Sequence, residues 1–124
     1  MPLHLLITNL GRSPCCHLVG NSQELCPACS SNSIAVGFGK TIAHNFTLLR
    51  ELSAFKMLDK PIMAGLSRKS TIYKTLGVTA EEALNGTTVL NTLALQNGAN
   101  ILRVHDVKEA KEVVTLWERY IQPL

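Results

Sequence analysis

The sequence predicts an α/β protein with parallel strands, preceded by an irregular segment. Three observations carry that reading. Ile34-Ala35-Val36, Ile62-Met63-Ala64 and residues 100–104 are short apolar runs without alternation, as expected of strands covered on both faces. Each run is followed by apolar residues at helical spacing. The strand-helix pair recurs three times at intervals of about 30 to 40 residues, the pattern of crossover-connected parallel strands.

Residues 1–33 hold Gly, Pro, Ser and Asn at close intervals and keep no period, so they read mostly as loop. The character changes near Ser33, which divides an irregular Cys-containing segment, 1–33, from an α/β part, 34–124. After the first strand, Gly37-Phe38-Gly39 leads to a helical series at Ile42, Phe46, Leu49, Leu52 and Phe55. Lys60-Pro61 breaks the chain before the second strand. A short helix is expected over Ser70–Leu76, with Gly77 just past its end. Thr79 with Glu82 has the form of a capping box. The helix it opens is expected to carry Leu84, Val89, Leu93 and Leu95 and to break at Gly86. Asp106 with Glu109 repeats the box, and Val107, Ala110, Val113, Val114, Trp117 and Ile121 place an apolar stripe on the last helix.

Composition narrows the function classes. A net charge of +3 from twelve basic and nine acidic residues, with no basic run, implies neither nucleic acid nor an anionic membrane as partner. No stretch approaches the roughly 20 apolar residues of a membrane span, and the start lacks a signal-peptide pattern, so a cytoplasmic location is expected. All four cysteines, Cys15, Cys16, Cys26 and Cys29, fall in the first 30 residues. With His17 they could supply a zinc knuckle, but only one CxxC pair is present, and no role is favoured over zinc. His4, His17 and His44 read as surface or helix-start residues.

Loops that leave the C-terminal ends of parallel strands share one face, where ligands bind. Here those loops carry Phe38 and Lys40, then Arg68, Lys69 and Ser70, then Arg103 and His105. Cations at helix starts point to an anionic, phosphorylated ligand. Arg103 offers a planar fork for phosphate oxygens, and Lys69 a point donor for a heterocycle. His105 can donate to a leaving phosphate, and Phe38, between two glycines, can wall an aromatic ring.

GFGKT at 37–41, GLSRKS at 65–70 and RVHDV at 103–107, in that order and spacing, resemble the last three strand-end loops of dihydropteroate synthase. The resemblance spans about two-thirds of the chain. It implies the last three units of a TIM barrel and a transferase of folate biosynthesis, which joins p-aminobenzoate to hydroxymethyl-dihydropterin diphosphate. It also implies residue roles: Lys69, the catalytic candidate, on the pterin ring; Ser70 at the p-aminobenzoate carboxylate; Arg103 and His105 on the departing diphosphate; Phe38 lining both pockets. Mg²⁺ is implied by the family, although its protein contact belongs to units this chain does not contain.

The family's Asp-Pro-Gly-Phe stretch before GFGKT is missing here, which removes a charged acceptor for the pterin, a loss of about 1–3 kcal/mol. Three of eight units cannot close the barrel, so a lone chain is expected to be inactive and to associate with itself or with a complementary fragment. The cysteine clustering and the change at Ser33 suggest a truncated or frameshifted gene product. Two other readings stand beside this one: a related pterin-binding module that passes a methyl group from methyltetrahydrofolate to a corrinoid protein, and a small zinc-containing interaction protein.

Overall fold

The structure, a computed structural model, describes residues 4–7, 34–36 and 41–123. Its elements are β1 (His4–Ile7), β2 (Ile34–Val36), α1 (Ile42–Arg50), a 3₁₀ helix (Leu52–Leu58), β3 (Ile62–Ala64), α2 (Ser70–Leu76), a 3₁₀ turn (Ala80–Glu82), α3 (Leu84–Gln96), β4 (Ile101–Val104) and α4 (Val107–Ile121). The three expected strand-helix units are present. β2, β3 and β4 pair in parallel, with Ile34 beside Ile62 and Met63 beside Ile101.

One strand was not expected. β1 lies in the segment read as loop and pairs antiparallel with β4, His4 beside Val104 and Ile7 beside Ile101, giving the order β1-β4-β3-β2. Four residues are too few to establish a period in a sequence window. Their pairing also covers the β4 edge of the parallel strands.

Short-range chemistry explains the helix limits. The Thr41 hydroxyl accepts the His44 N–H at 3.1 Å and starts α1. The single helix expected through Phe55 instead tightens to 3₁₀ after Glu51 and ends at Asp59, whose φ is +53°. α2 stops at Gly77, where a φ of +71° suits glycine. Neither expected capping box forms. Thr79 donates to the Glu82 carboxylate at 3.1 Å instead of capping a backbone N–H, and α3 begins only at Leu84. Asp106 precedes α4 without a side-chain cap. Gly86 does not break α3; a methyl group there would collide with Ile72, so the glycine permits close packing of α3 on α2.

The core lies between the helices and one sheet face. Leu52, Ile62, Leu95, Leu102 and Val104 are the largest of its fully enclosed members, and burying a leucine of this kind contributes about 1.5–3 kcal/mol. Met63 and Ile101 are also buried but lie outside that cluster, so the sheet's second face is covered as well. Asn100 docks the start of β4: its N–H donates to the Ile62 carbonyl at 2.8 Å and its side-chain oxygen accepts the Ile62 N–H at 3.1 Å.

The phase of α3 differs from expectation. Its buried face is Thr87, Leu90, Asn91, Ala94 and Leu95, while Val89 and Leu93 are exposed. Two polar residues on the inner face blur the apolar period that would have revealed it. On α4, Ala110 and Val113 are buried, and Val107, Val114 and Trp117 pack against the core. Ile121, expected in that stripe, is exposed, as is Phe46 on α1. Among the described residues no helix is long and apolar enough to cross a membrane.

Candidate functional site

Strand register builds the site. Met63 lies beside Ile101 and Ala64 beside Leu102, so the chain leaves β3 next to Arg103 on β4. Along β4 side chains alternate, so Leu102 and Val104 face the helix-side core while Arg103 shares the opposite face with Ile101. Arg103 is thus an exposed cation at the C-terminal end of that second face.

The turn after β3 takes Arg68 into the left-handed region, φ +52°, and returns the chain as Lys69, the residue before α2. The Arg68 N–H donates to the Thr87 hydroxyl at 3.0 Å, and that hydroxyl donates to the Ala83 carbonyl at 2.7 Å. An uncommon backbone conformation is therefore held by a buried side chain from α3.

Arg68 does not contribute charge to an open anion site, contrary to the sequence reading. Its Nε and Nη2 donate to the two Asp106 carboxylate oxygens, each at 2.8 Å. Its Nη1 donates to the carbonyls of Ala80 at 3.0 Å and Glu81 at 2.8 Å. The pair is mostly buried, with side chains 14% and 18% exposed. Hydrogen bonding to Asp106 pushes the Arg68 guanidinium above its ordinary range, and Arg68 holds the Asp106 carboxyl below its own. Arg68 is a strut joining the turn after β3, the 3₁₀ turn and the start of α4.

Beside the strut, Ser67 meets His105. The Ser67 Oγ lies 2.9 Å from His105 Nδ1 and accepts the His105 backbone N–H at 3.1 Å. Ser67 is buried and His105 half-buried. Burial lowers the imidazole's proton affinity; Asp106 pulls it back up, and Arg68 and Arg103 press it down. Lys69 also falls below the usual lysine range, first through burial and then through the charge of Arg103. The charge of Arg103 thus bears on both Lys69 and His105, and Ser70 opens α2 directly after Lys69. Two cations near enough to perturb each other are stabilised by an intervening anion.

Phe38 and Lys40 lie outside the described residues, as do Gly37, Gly39, His17, Cys15, Cys16, Cys26 and Cys29. His44 is exposed near the start of α1, as expected. Sequence reasoning missed three residues that build the site. Ser67 stood inside the GLSRKS motif without a role, Asp106 was read as a helix cap, and Thr87 carried no signal because its partner is a backbone group 19 positions away. Among the described residues no three His, Cys, Asp or Glu side chains gather to hold a metal ion. Asp106, the carboxylate next to His105, is committed to Arg68.

Comparison with known proteins agrees with this geometry. The dihydropteroate synthase of Escherichia coli K12 is 43% identical over 82 residues, which cover 66% of this chain and 29% of that protein. The structure of the Yersinia pestis enzyme with a pterine-sulfa conjugate superposes with a TM-score of 0.68 at 37% identity, over 71% of this chain and 36% of that one. That of the Xanthomonas albilineans enzyme in complex with 7,8-dihydropteroate gives 0.69 at 38%, over 73% of this chain and 37% of that one. The chain thus spans about three-tenths of the length of its curated relative. The family profile described as pterin binding enzyme matches residues 33–105, which include the turn after β3 and run through β4 to His105, and the chain belongs to that family.

Proposed function

We propose that the chain is the C-terminal, diphosphate-binding part of a dihydropteroate synthase, a cytoplasmic transferase of folate biosynthesis, and that it comprises three strand-helix units of a TIM barrel. What supports this reading is the place of Lys69, Arg103 and His105 in the turns after β3 and β4, which the parallel register of Met63 with Ile101 and the 2.9 Å contact of Ser67 Oγ with His105 Nδ1 hold side by side. In the reaction an amine displaces diphosphate from a pterin methylene. Arg103 and His105 hold the departing diphosphate, Lys69 donates to the pterin ring, Ser70 receives the carboxylate of p-aminobenzoate, and Phe38 lines the pocket. Such a site acts by positioning the amine and stabilising the leaving anion, without a covalent nucleophile. The family implies Mg²⁺, but the described carboxylates do not gather to hold it, and no step here depends on it.

The chain alone is not a working synthase on this reading, because the units that complete the pterin pocket belong to the rest of the barrel. Exposed apolar side chains support association with a complementary fragment or a second copy: Met57 is 85% exposed, Leu116 71% and Tyr120 75%. Calorimetric titration of the purified chain, with and without Mg²⁺, tests the proposal. Inorganic diphosphate should bind weakly, a pterin diphosphate analogue no more tightly, and no dihydropteroate should form. Absence of diphosphate binding overturns the site assignment, and tight pterin-selective binding overturns the account of an incomplete pocket.

A further inference from the structure

We infer that Ser67 is a positioning residue for His105, fixing the neutral imidazole as the tautomer with its proton on Nε2, so that Nε2–H is the ring's donor to a bound oxyanion. The inference deepens the proposed diphosphate site and rests on it for the identity of the anion.

The argument begins with one hydroxyl proton. Ser67 is only 4% exposed, so its O–H needs a partner within the protein. One lone pair of Oγ takes the His105 backbone N–H at 3.1 Å. Among the described residues the acceptor within reach of the hydroxyl is His105 Nδ1, at 2.9 Å. Were Nδ1 protonated, Oγ would receive two donors and its own proton would be buried without an acceptor among those residues. The doubly protonated ring meets the same difficulty and adds a charge near Arg68 and Arg103, while the Asp106 carboxylate is already paired with Arg68.

Both flanks of the contact are pinned. Arg68 follows Ser67, Asp106 follows His105, and the two form a bidentate ion pair, so positions 67 with 105 and 68 with 106 make two adjacent ties between the turns. The Thr87 hydroxyl fixes the backbone of the first turn from a third side. A ring anchored at Nδ1 in this way loses little rotational freedom on binding an anion.

Multiple-bond ¹H–¹⁵N spectra of the imidazoles in the full chain read the tautomer directly. Wild type should show His105 with bare Nδ1 and protonated Nε2. Ser67→Ala should convert this to a mixture of tautomers and weaken inorganic diphosphate binding about tenfold, and Ser67→Thr, which keeps the hydroxyl, should restore the single tautomer. A purely structural serine would alter stability in Ser67→Ala and leave the tautomer ratio unchanged, which overturns the inference. So does protonated Nδ1 in wild type, a result that stands even if Ser67→Ala does not fold. Failure of wild type to bind diphosphate while Nε2–H is intact overturns the proposed ligand and leaves the Ser67 assignment standing.

Discussion

The turn after β3 and the turn after β4 each present an arginine at the C-terminal end of a parallel strand, and the two are used in opposite ways. Arg68 is mostly buried, bidentate to Asp106 and bonded to two carbonyls. Arg103 is exposed on the sheet face away from the helix-side core, near Lys69 and His105. Equal formal charge thus serves architecture in one loop and, on the proposed reading, ligand capture in the other.

The largest expected effect breaks the architectural half of this contrast. Arg68→Ala leaves the Asp106 carboxylate mostly buried and unpaired and should destabilise the chain by about 3 kcal/mol in a urea titration. A change below about 0.5 kcal/mol would show that the strut is not structural. Thr87→Val removes the acceptor for the Arg68 N–H and should lose about 1–2 kcal/mol by the same measurement. Arg103→Ala should do the reverse: stability within about 0.5 kcal/mol of wild type, but diphosphate affinity lower about tenfold, or about 1.4 kcal/mol. Equal diphosphate affinity in the two proteins would remove Arg103 from the site.

Acid sharpens the same contrast with a smaller effect. Asp106 has a folded-state pKa below its ordinary value of 3.8, so its contribution is fully present above that value and is lost as pH falls through the folded pKa. Wild type should lose stability below about pH 4 more steeply than Asp106→Asn, whose strut is already weakened at neutral pH. Parallel acid profiles for the two proteins would contradict the ion pair.

The contrast also marks how far the sequence could be read. The three strand-helix units and the placement of Lys69, Arg103 and His105 at strand ends were legible, because apolar runs, helical spacing and strand-end placement are local properties. The role of Arg68 was not, since its partner lies 38 positions away. Asp106 and Glu109 matched a capping pattern, but a bidentate guanidinium competes for the same carboxylate and wins. The inner face of α3 was hidden by Thr87 and Asn91, polar residues buried where the period calls for apolar ones. β1 was invisible because its strand character comes from pairing with β4 and not from its own four residues.

Trp117, half-buried against the core with its ring 5.6 Å from that of Tyr120, is the chain's single tryptophan. Its indole therefore reports on the seating of α4 without any label. Emission should move to longer wavelength when that helix lifts away, so the same cuvette experiment that follows unfolding also detects whether a complementary fragment changes the environment of α4.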